Sequence, residues 1–169
     1  MQLNMTSGDP YVLSANEFSQ IVQPANGEIG VSDPVTDPMT SPLNEGVALL
    51  VANEGDAESW PRFRIDGPLT NPQILNQTTG QRIVLGAVLG AAEYLMVYPE
   101  FGQVLLGAKQ DIGGVWFDVA AALQDRYAYV DFAATDWWQL VDGNNDVRLL
   151  STSFSAGAQV TIWWRHSWE

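Results

Sequence analysis

The sequence predicts an all-β protein, an antiparallel two-sheet β-sandwich of the galectin-like or jelly-roll sort. Strand signals recur about every 8–12 residues from Val47 onward, a spacing typical of sandwiches and barrels. In the strongest of these segments apolar and polar residues alternate, as they do in a half-buried strand. Gly67-Pro68 and Asn71-Pro72 separate neighbouring segments, because proline removes a backbone donor and fixes φ. We expect the sandwich to span residues 46–169.

The first 45 residues are predicted to form an extended N-terminal arm or linker. A short alternating segment at 3–7 ends at Gly8-Asp9-Pro10. Further prolines follow at Pro24, Pro34, Pro38 and Pro42. Because proline also restricts the residue before it, this spacing leaves no room for a helix longer than two turns. We therefore expect residues 11–45 to be extended, with up to two short strands.

The elements of the sandwich follow from the same patterns. Strands are expected at residues 47–52, 62–66, 73–76, 82–88, 94–98, 103–106, 115–117, 127–132, 146–150 and 158–165. Turn-forming residues cluster at 78–80, 99–102 and 142–145, where hairpin turns are expected. Only residues 118–125 favour a helix, and we expect a single turn there with Asp118 as its cap.

Two of the expected strands indicate which side chains face the core. In 62–66, Phe63 and Ile65 are expected to face inward while the charged residues on either side of them face water. In 158–165 the inward face is expected to consist of Ala158, Val160, Ile162 and Trp164.

The charge of the chain argues against nucleic acid as a partner. Seven basic residues stand against twenty acidic ones, which gives a formal charge of −13. Binding to a phosphate backbone needs clustered Lys and Arg, so no nucleic-acid partner is expected. The longest apolar run, residues 83–92, contains two glycines and is about half the ~20 residues of a spanning helix. No membrane insertion and no secretory signal are expected.

The segment 53–76 carries the most informative motif. Its characteristic residues are Asn53, Gly55, Trp60, Pro61, Phe63, Ile65, Gly67, Pro68, Pro72, Ile74 and Asn76. This pattern resembles the siphophage distal tail protein family, at the start of its C-terminal β-sandwich domain. A second block at 136–149, with Gly143 and Asn145, resembles the family's aromatic-aromatic-x-Leu-x-Pro-Gly-x-Asn motif near its penultimate strand. Asp142 stands where the family usually has proline.

A third, weaker resemblance lies at the start of the chain. Residues 3–11, with Asp9-Pro10 followed by Tyr11, resemble the last strand of the family's N-terminal ring-forming domain. The resemblance implies that residues 1–11 are the end of a ring domain that is otherwise missing from this sequence.

The family resemblance implies a non-enzymatic structural protein located in the virion, at the tail tip of a phage. Such a component organises the adhesion apparatus, and contact with the host surface is also expected. The implied partners are other tail proteins (tail tube, hub and adhesins) and a host cell-surface glycan. We expect an oligomer in the virion and a monomer for the isolated chain, with no cofactor.

The alternative function is that of a carbohydrate-binding module. Seven tryptophans are more than a core of this size ordinarily uses. Consecutive residues on a strand point to opposite faces, so only one tryptophan of each consecutive pair is expected to be exposed. The candidate contacts for a partner or a glycan are therefore Trp163 and either Trp137 or Trp138. Core or edge packing is the simpler explanation for any single tryptophan.

The sequence predicts no catalytic and no metal site. Asp142-x-Asn144-x-Asp146 has the spacing of the first three ligands of a calcium loop, but the glycine and the acidic twelfth ligand are missing. The single histidine, His166, has no nucleophile motif near it in the sequence. Acidic pairs such as Asp33 and Asp37 would suit a glycoside hydrolase, but such pairs arise by chance among twenty carboxylates.

Overall fold

The computed structural model describes residues 12–22, 48–120 and 123–168, and these residues form an all-β, antiparallel structure. The strands in chain order are β1 (Val12–Leu13), β2 (Phe18–Val22), β3 (Leu49–Asn53), β4 (Arg62–Asp66), β5 (Leu69–Thr70), β6 (Gln73–Asn76), β7 (Gln81–Val84), β8 (Val88–Leu89), β9 (Glu93–Tyr98), β10 (Gln103–Ile112), β11 (Val115–Asp118), β12 (Gln124–Asp125), β13 (Gly143–Leu150), β14 (Ser153–Phe154), β15 (Gln159–Trp164) and β16 (Ser167–Trp168). Two short 3-10 helices lie at Pro99–Phe101 and Tyr127–Tyr129.

The strands form two main sheets and two small ones. The larger sheet has the order β11-β10-β9-β4-β15-β2, with β12 also paired to β10. The second sheet has the order β3-β13-β6-β7, and β14-β5-β8 and β1-β16 complete the structure. Inward side chains of both main sheets belong to a single apolar core. The predicted all-β antiparallel sandwich is confirmed.

The core forms because apolar side chains alternate along the central strands. Phe63 and Ile65 of β4 are fully buried, as predicted. Along the last long strand the exposed fractions are 3% for Ala158, 1% for Val160 and Ile162, and 5% for Trp164, so the predicted inward face is confirmed. The second sheet contributes fully buried residues to the same core, among them Val51, Ile74, Ile83 and Leu149.

The start of the described chain pairs with the sandwich. β2 lies beside β15 at the edge of the larger sheet, with Trp163 opposite Ser19, and β1 pairs with β16. Both strands come from the segment predicted as an arm. Residues 1–11, which carry the resemblance to a ring-domain strand, lie outside the described residues, as do residues 23–47.

Four local predictions are wrong. The strand expected at 82–88 is interrupted, because β7 ends at Val84 and β8, which belongs to another sheet, begins at Val88. Residues 127–132 form a 3-10 helix at Tyr127–Tyr129 instead of a strand, because the Asp125 carboxylate accepts a hydrogen bond from the backbone N–H of Tyr127 (2.8 Å) and starts a turn. The single helical turn is absent from the described part of 118–125, since Asp118 ends β11 and Gln124–Asp125 form β12. The turn at 142–145 is replaced by the start of β13 at Gly143, opposite Asn53.

A close backbone approach explains why glycine stands at position 55. A Cβ atom on Gly55 would lie 1.8 Å from the backbone oxygen of Ser167 at the start of β16. We expect Gly55→Ala to lower the free energy of unfolding by about 3 kcal/mol or more, because backbone cannot move aside as a flexible side chain can. Urea unfolding followed by tryptophan fluorescence measures the change.

The matched control for this variant is Gly86→Ala. A Cβ atom there would meet its nearest neighbour, the backbone oxygen of Tyr129, at 3.8 Å, which is an ordinary contact. The control is expected to stay within ~1 kcal/mol of the wild type. Equal stability of the two variants would contradict the close approach of Gly55 to β16.

Candidate functional site

Three buried asparagines of the two motifs lie on adjacent strands of the second sheet. Asn53 ends β3, Asn76 ends β6 and Asn145 lies in β13 between them, and all three are fully buried. The side-chain amide of Asn76 donates to Oδ1 of Asn145 at 3.1 Å. The amide of Asn145 in turn donates to the backbone oxygens of Val141 (2.9 Å) and Gly143 (3.2 Å). These side-chain hydrogen bonds join the end of β6 to the start of β13 and to the residues just before it.

Asn53 and Asn76 also form hydrogen bonds to the backbone of the loops that follow their strands. Nδ2 of Asn53 donates to the backbone oxygen of Ala57 at 2.7 Å, and its Oδ1 accepts from the backbone N–H of Ser167 at 3.4 Å. Oδ1 of Asn76 accepts from the backbone N–H of Thr78 at 3.1 Å. Buried polar groups need such partners, so the asparagines hold the loops of the sandwich in place.

The remaining motif residues mostly lie inside the structure. Pro61, Gly67 and Pro72 are buried, and the Gly67-Pro68 peptide bond is cis. Trp60 differs, because 38% of its surface is exposed just before β4.

The three tryptophans predicted as contacts lie in different environments. Trp138 is 1% exposed and packs edge-on against Phe63, with ring centroids 5.2 Å apart, so its prediction as a contact is wrong. Residues 137–138 lie in an irregular segment, where strand alternation does not set the side-chain directions. Trp137 is partly buried against the core. Trp163 is half-buried on β15 and lies beneath the Arg62 guanidinium, 5.0 Å from the ring centroid.

Trp163 belongs to the outer face of the larger sheet, which we define as the side chains on β4, β9, β10, β11 and β15 that point away from the core. Register places Arg62, Arg64 and Asp66 of β4 directly beside Trp163, Thr161 and Gln159 of β15. On the other side of β4, Met96 and Tyr94 of β9 lie opposite Arg64 and Asp66. The outer face is therefore polar and aromatic.

Two depressions adjoin Trp163, one on the outer face and one beyond the start of β4. The long groove has a volume of about 600 Å³, and its lining includes Arg64, Asp66, Lys109, Trp116, Gln159 and Trp163. The small pocket, of about 260 Å³, lies at the start of β4, and its lining includes Glu58, Trp60, Arg62, Tyr98, Gln139 and Trp163. Trp163 lines both depressions, so they adjoin along the strand.

The floor of the long groove is a network of four charged side chains. Nζ of Lys109 lies 2.9 Å from Asp66, and the two side chains are only 8% and 5% exposed. Arg64 binds Asp66 at 3.0 Å through Nε and Asp118 at 2.6 Å through Nη2. Lys109 is the single lysine of the chain. Its ammonium group is buried against the Asp66 carboxylate. Because burial removes the water that would stabilise the charge, the ammonium needs this carboxylate to remain stable inside the protein.

The network fixes its members electrostatically. The hydrogen bond from Arg64 lowers the pKa of the Asp118 carboxyl and, reciprocally, raises the pKa of Arg64. Burial raises the pKa of Tyr94, whose ring lies 3.9 Å beneath the Arg64 guanidinium. The ring has room because Gly107 lies beside it on β10, where a Cβ atom would come within 2.1 Å of Tyr94 Cζ.

Side chains with catalytic or metal-binding chemistry have structural partners instead. His166 is 6% exposed, and its Nδ1 accepts a hydrogen bond from the backbone N–H of Glu54 at 2.9 Å. Asp146, from the calcium-like spacing, binds Arg148 at 3.0 Å. Within 12–22, 48–120 and 123–168, no cluster of three His, Cys, Asp or Glu residues suits a metal ion. Nor does this part of the chain contain a helix of the length and hydropathy that crossing a membrane requires.

No family model matches this sequence, and no curated protein or solved structure matches it either.

Sequence reasoning missed two exposed tryptophans and the charged floor. The signal for Trp60 was present, because residues 58–66 continue the alternation of β4 and place Trp60 on the same face as Arg62. Trp116, which is 46% exposed on β11, carried no such signal, since both faces of that hairpin strand are open to solvent.

The buried amide of Asn145 can be tested by charge. Asn145→Asp is expected to lower the free energy of unfolding by about 3 kcal/mol or more near neutral pH, because a carboxylate would face two backbone oxygens. Burial raises the pKa of that carboxyl above its unfolded value of about 3.9, so the loss is full at high pH and shrinks as the pH falls. Urea unfolding of wild type and variant across this range measures the difference.

The matched control is Asn144→Asp, which makes the same charge change at the neighbouring, exposed position of β13. It is expected to change stability by less than ~0.5 kcal/mol at any pH. A similar, pH-independent loss in both variants would contradict the hydrogen-bonding role of Asn145.

The buried ion pair makes a second prediction. Asp66→Asn is expected to lower the free energy of unfolding by about 3 kcal/mol or more, because it leaves the Lys109 ammonium buried without its carboxylate. Adding Lys109→Met to this variant is expected to restore more than ~1 kcal/mol. Thermal and urea unfolding of the two single variants and the double variant measure this coupling.

The control for this series is Asp146→Asn, which breaks the more exposed Arg148 pair, with side chains 27% and 25% exposed. Its cost is expected to be below ~1 kcal/mol. If the double variant is less stable than Asp66→Asn alone, the unpaired ammonium does not destabilise the protein and the prediction is wrong.

Proposed function

We propose that this protein is a non-enzymatic structural component of the tail tip of a long-tailed phage. In this role the sandwich is a rigid platform that helps to organise the adhesion apparatus. Its partners are other tail proteins, which contact the loops and surfaces around the sheets.

The meeting of the two motif blocks is the observation that supports this proposal. Asn53 and Asn76 belong to the first block and Asn145 to the second. All three side chains are buried, and the amide of Asn76 donates to Asn145 across the two blocks. A motif of buried, loop-closing amides specifies an architecture, so a shared motif suits a shared structural part better than a shared reaction. This favours a scaffold role.

The charge of the chain suits the same role. A formal charge of −13 disfavours contact with nucleic acid and keeps a surface protein from associating nonspecifically. Partner surfaces that carry basic residues are favoured over acidic ones for the same reason.

A carbohydrate-binding module is the second candidate, and the outer face favours it. Trp163 lines both depressions, and its neighbours include Arg62, Gln159 and Thr161. An aromatic ring beside amide, hydroxyl and guanidinium groups is the usual chemistry of a sugar site, with the ring against the sugar face and the polar groups at its hydroxyls.

The tail-tip proposal is tested on virions of the phage that encodes the chain. Antibody fragments raised against the recombinant protein and labelled with gold are expected to mark the end of the tail distal to the capsid in electron micrographs. Fragments preabsorbed with the recombinant protein are the control and are expected to leave the particles unlabelled. Label on the capsid, or protein found in the lysate but not in purified virions, would refute the proposal.

A further inference from the structure

We propose that the outer face binds a linear polysaccharide of uncharged sugars that runs from the small pocket at Trp60, past Trp163, into the long groove at Trp116. The proposal rests on the carbohydrate-binding candidate and deepens it by naming the shape and charge of the glycan. It does not depend on the tail-tip proposal, which has its own test.

Three partly exposed tryptophans line the two depressions. Trp60 is 38% and Trp116 is 46% exposed, and Trp163 is half-buried. Trp60 lines the small pocket, Trp116 lines the long groove, and Trp163 lines both. A tryptophan ring offers a flat apolar surface that matches the apolar face of a sugar ring at low cost in side-chain entropy.

The rings are held in position before any ligand arrives. The Arg62 guanidinium lies 5.0 Å from the Trp163 ring centroid, and Lys109 Nζ lies 5.6 Å from that of Trp116. The Trp60 ring nitrogen lies 3.2 Å from the side-chain oxygen of Gln139 in the amide orientation that satisfies both groups. Preorganised groups lose less entropy on binding, which favours affinity from a shallow surface.

The length of the site indicates a chain of several sugars. From Trp60 to Asp66 the strand direction covers roughly 20 Å at about 3.3 Å per residue. The long groove, at about 600 Å³, is far larger than the small pocket of about 260 Å³ that adjoins it. An open path of this kind suits an internal stretch of a linear polymer better than a single terminal sugar.

The charges of the face indicate uncharged sugars. The two cations of the groove floor, Arg64 and Lys109, are bound to the two carboxylates Asp66 and Asp118, so the floor sums to zero. In the small pocket Arg62 is bound to Glu17 at 2.6 Å, and Glu58, Glu100 and Arg165 also line it, so its carboxylates outnumber its cations. Cations that are already paired offer little to a carboxylate or phosphate group, whereas sugar hydroxyls can bind paired charges and amides alike.

The experiment uses the full chain on an array of linear glycans, neutral and acidic, of increasing length. Signal is expected on neutral chains longer than about four sugar units, which match the roughly 20 Å of β4. Titration calorimetry with the strongest neutral oligosaccharide then gives affinities. Trp163→Ala and Trp116→Ala are each expected to weaken binding about tenfold or more.

Phe132→Ala is the matched control, because Phe132 is 50% exposed and follows residues that pair with the second sheet through Val84. It is expected to bind like the wild type. Trp163→Phe keeps an aromatic ring and is expected to retain more affinity than Trp163→Ala, and circular dichroism checks that each variant is folded. If Trp163→Ala does not fold, Trp116→Ala on the exposed hairpin decides the matter.

Each other outcome overturns a defined part of the inference. Equal binding of acidic glycans overturns the charge assignment, and equal binding of a monosaccharide overturns the linear site; in both cases the carbohydrate-binding candidate stands. Binding that survives both tryptophan changes overturns the location. An array without signal overturns the inference and the carbohydrate-binding candidate together, and leaves the tail-tip proposal to the virion labelling.

Discussion

The alternation of β4 is the constraint on which the rest of the structure depends. Phe63 and Ile65 complete the core on one side of the strand, while Arg62, Arg64 and Asp66 build the outer face on the other. β4 also joins the halves of the larger sheet, because it pairs with both β9 and β15. A slip of one residue would exchange the two faces, so the apolar core fixes the register of the polar surface as well. Stability and the candidate site are therefore set by the same contacts.

The motif residues determine the architecture, whereas the side chains of the outer face determine the surface chemistry. Asn53, Asn76 and Asn145 are buried, and their side-chain amides form hydrogen bonds to neighbouring loops and to one another's strands. These bonds help to determine where the strands begin and end. Most of the residues that line the two depressions are not characteristic motif residues; Trp60 and Pro61 are exceptions. A resemblance carried by loop-closing amides therefore speaks for the fold and says little about what Trp163 contacts. For that reason the platform and the glycan site are separate claims with separate tests.

The sequence predicted a segment correctly where neighbouring residues determine its conformation, and failed where a partner distant in the sequence or a competing side-chain hydrogen bond determines it. Residues 62–66 and 73–76 were predicted to the residue, because strong alternation and flanking turn residues agree there. Position 118 was predicted as a helix cap, but its carboxylate binds Arg64, a partner 54 residues away that no local pattern reveals. The strand prediction at 127–129 is wrong because the Asp125 side chain accepts a hydrogen bond from a backbone N–H that a strand would use for pairing. Within the site, strand alternation correctly predicted that Trp163 points away from the core. Trp138 lies in an irregular segment, where alternation does not apply, and it is buried in the core.

The buried charges explain how so acidic a chain can present a neutral contact surface. Two cations and two carboxylates cancel in the floor of the long groove, so the formal charge of −13 belongs to the rest of the chain. Repulsion from those charges is screened within about 8 Å at physiological ionic strength, so it acts weakly on a neutral polymer and more strongly on an anionic surface brought into contact. The pairing of Lys109 with Asp66 also removes mobile side chains from the groove, since both are held in place. A rigid, neutral and aromatic strip on an otherwise acidic protein favours contacts that depend on shape and hydrogen bonding over contacts that depend on charge.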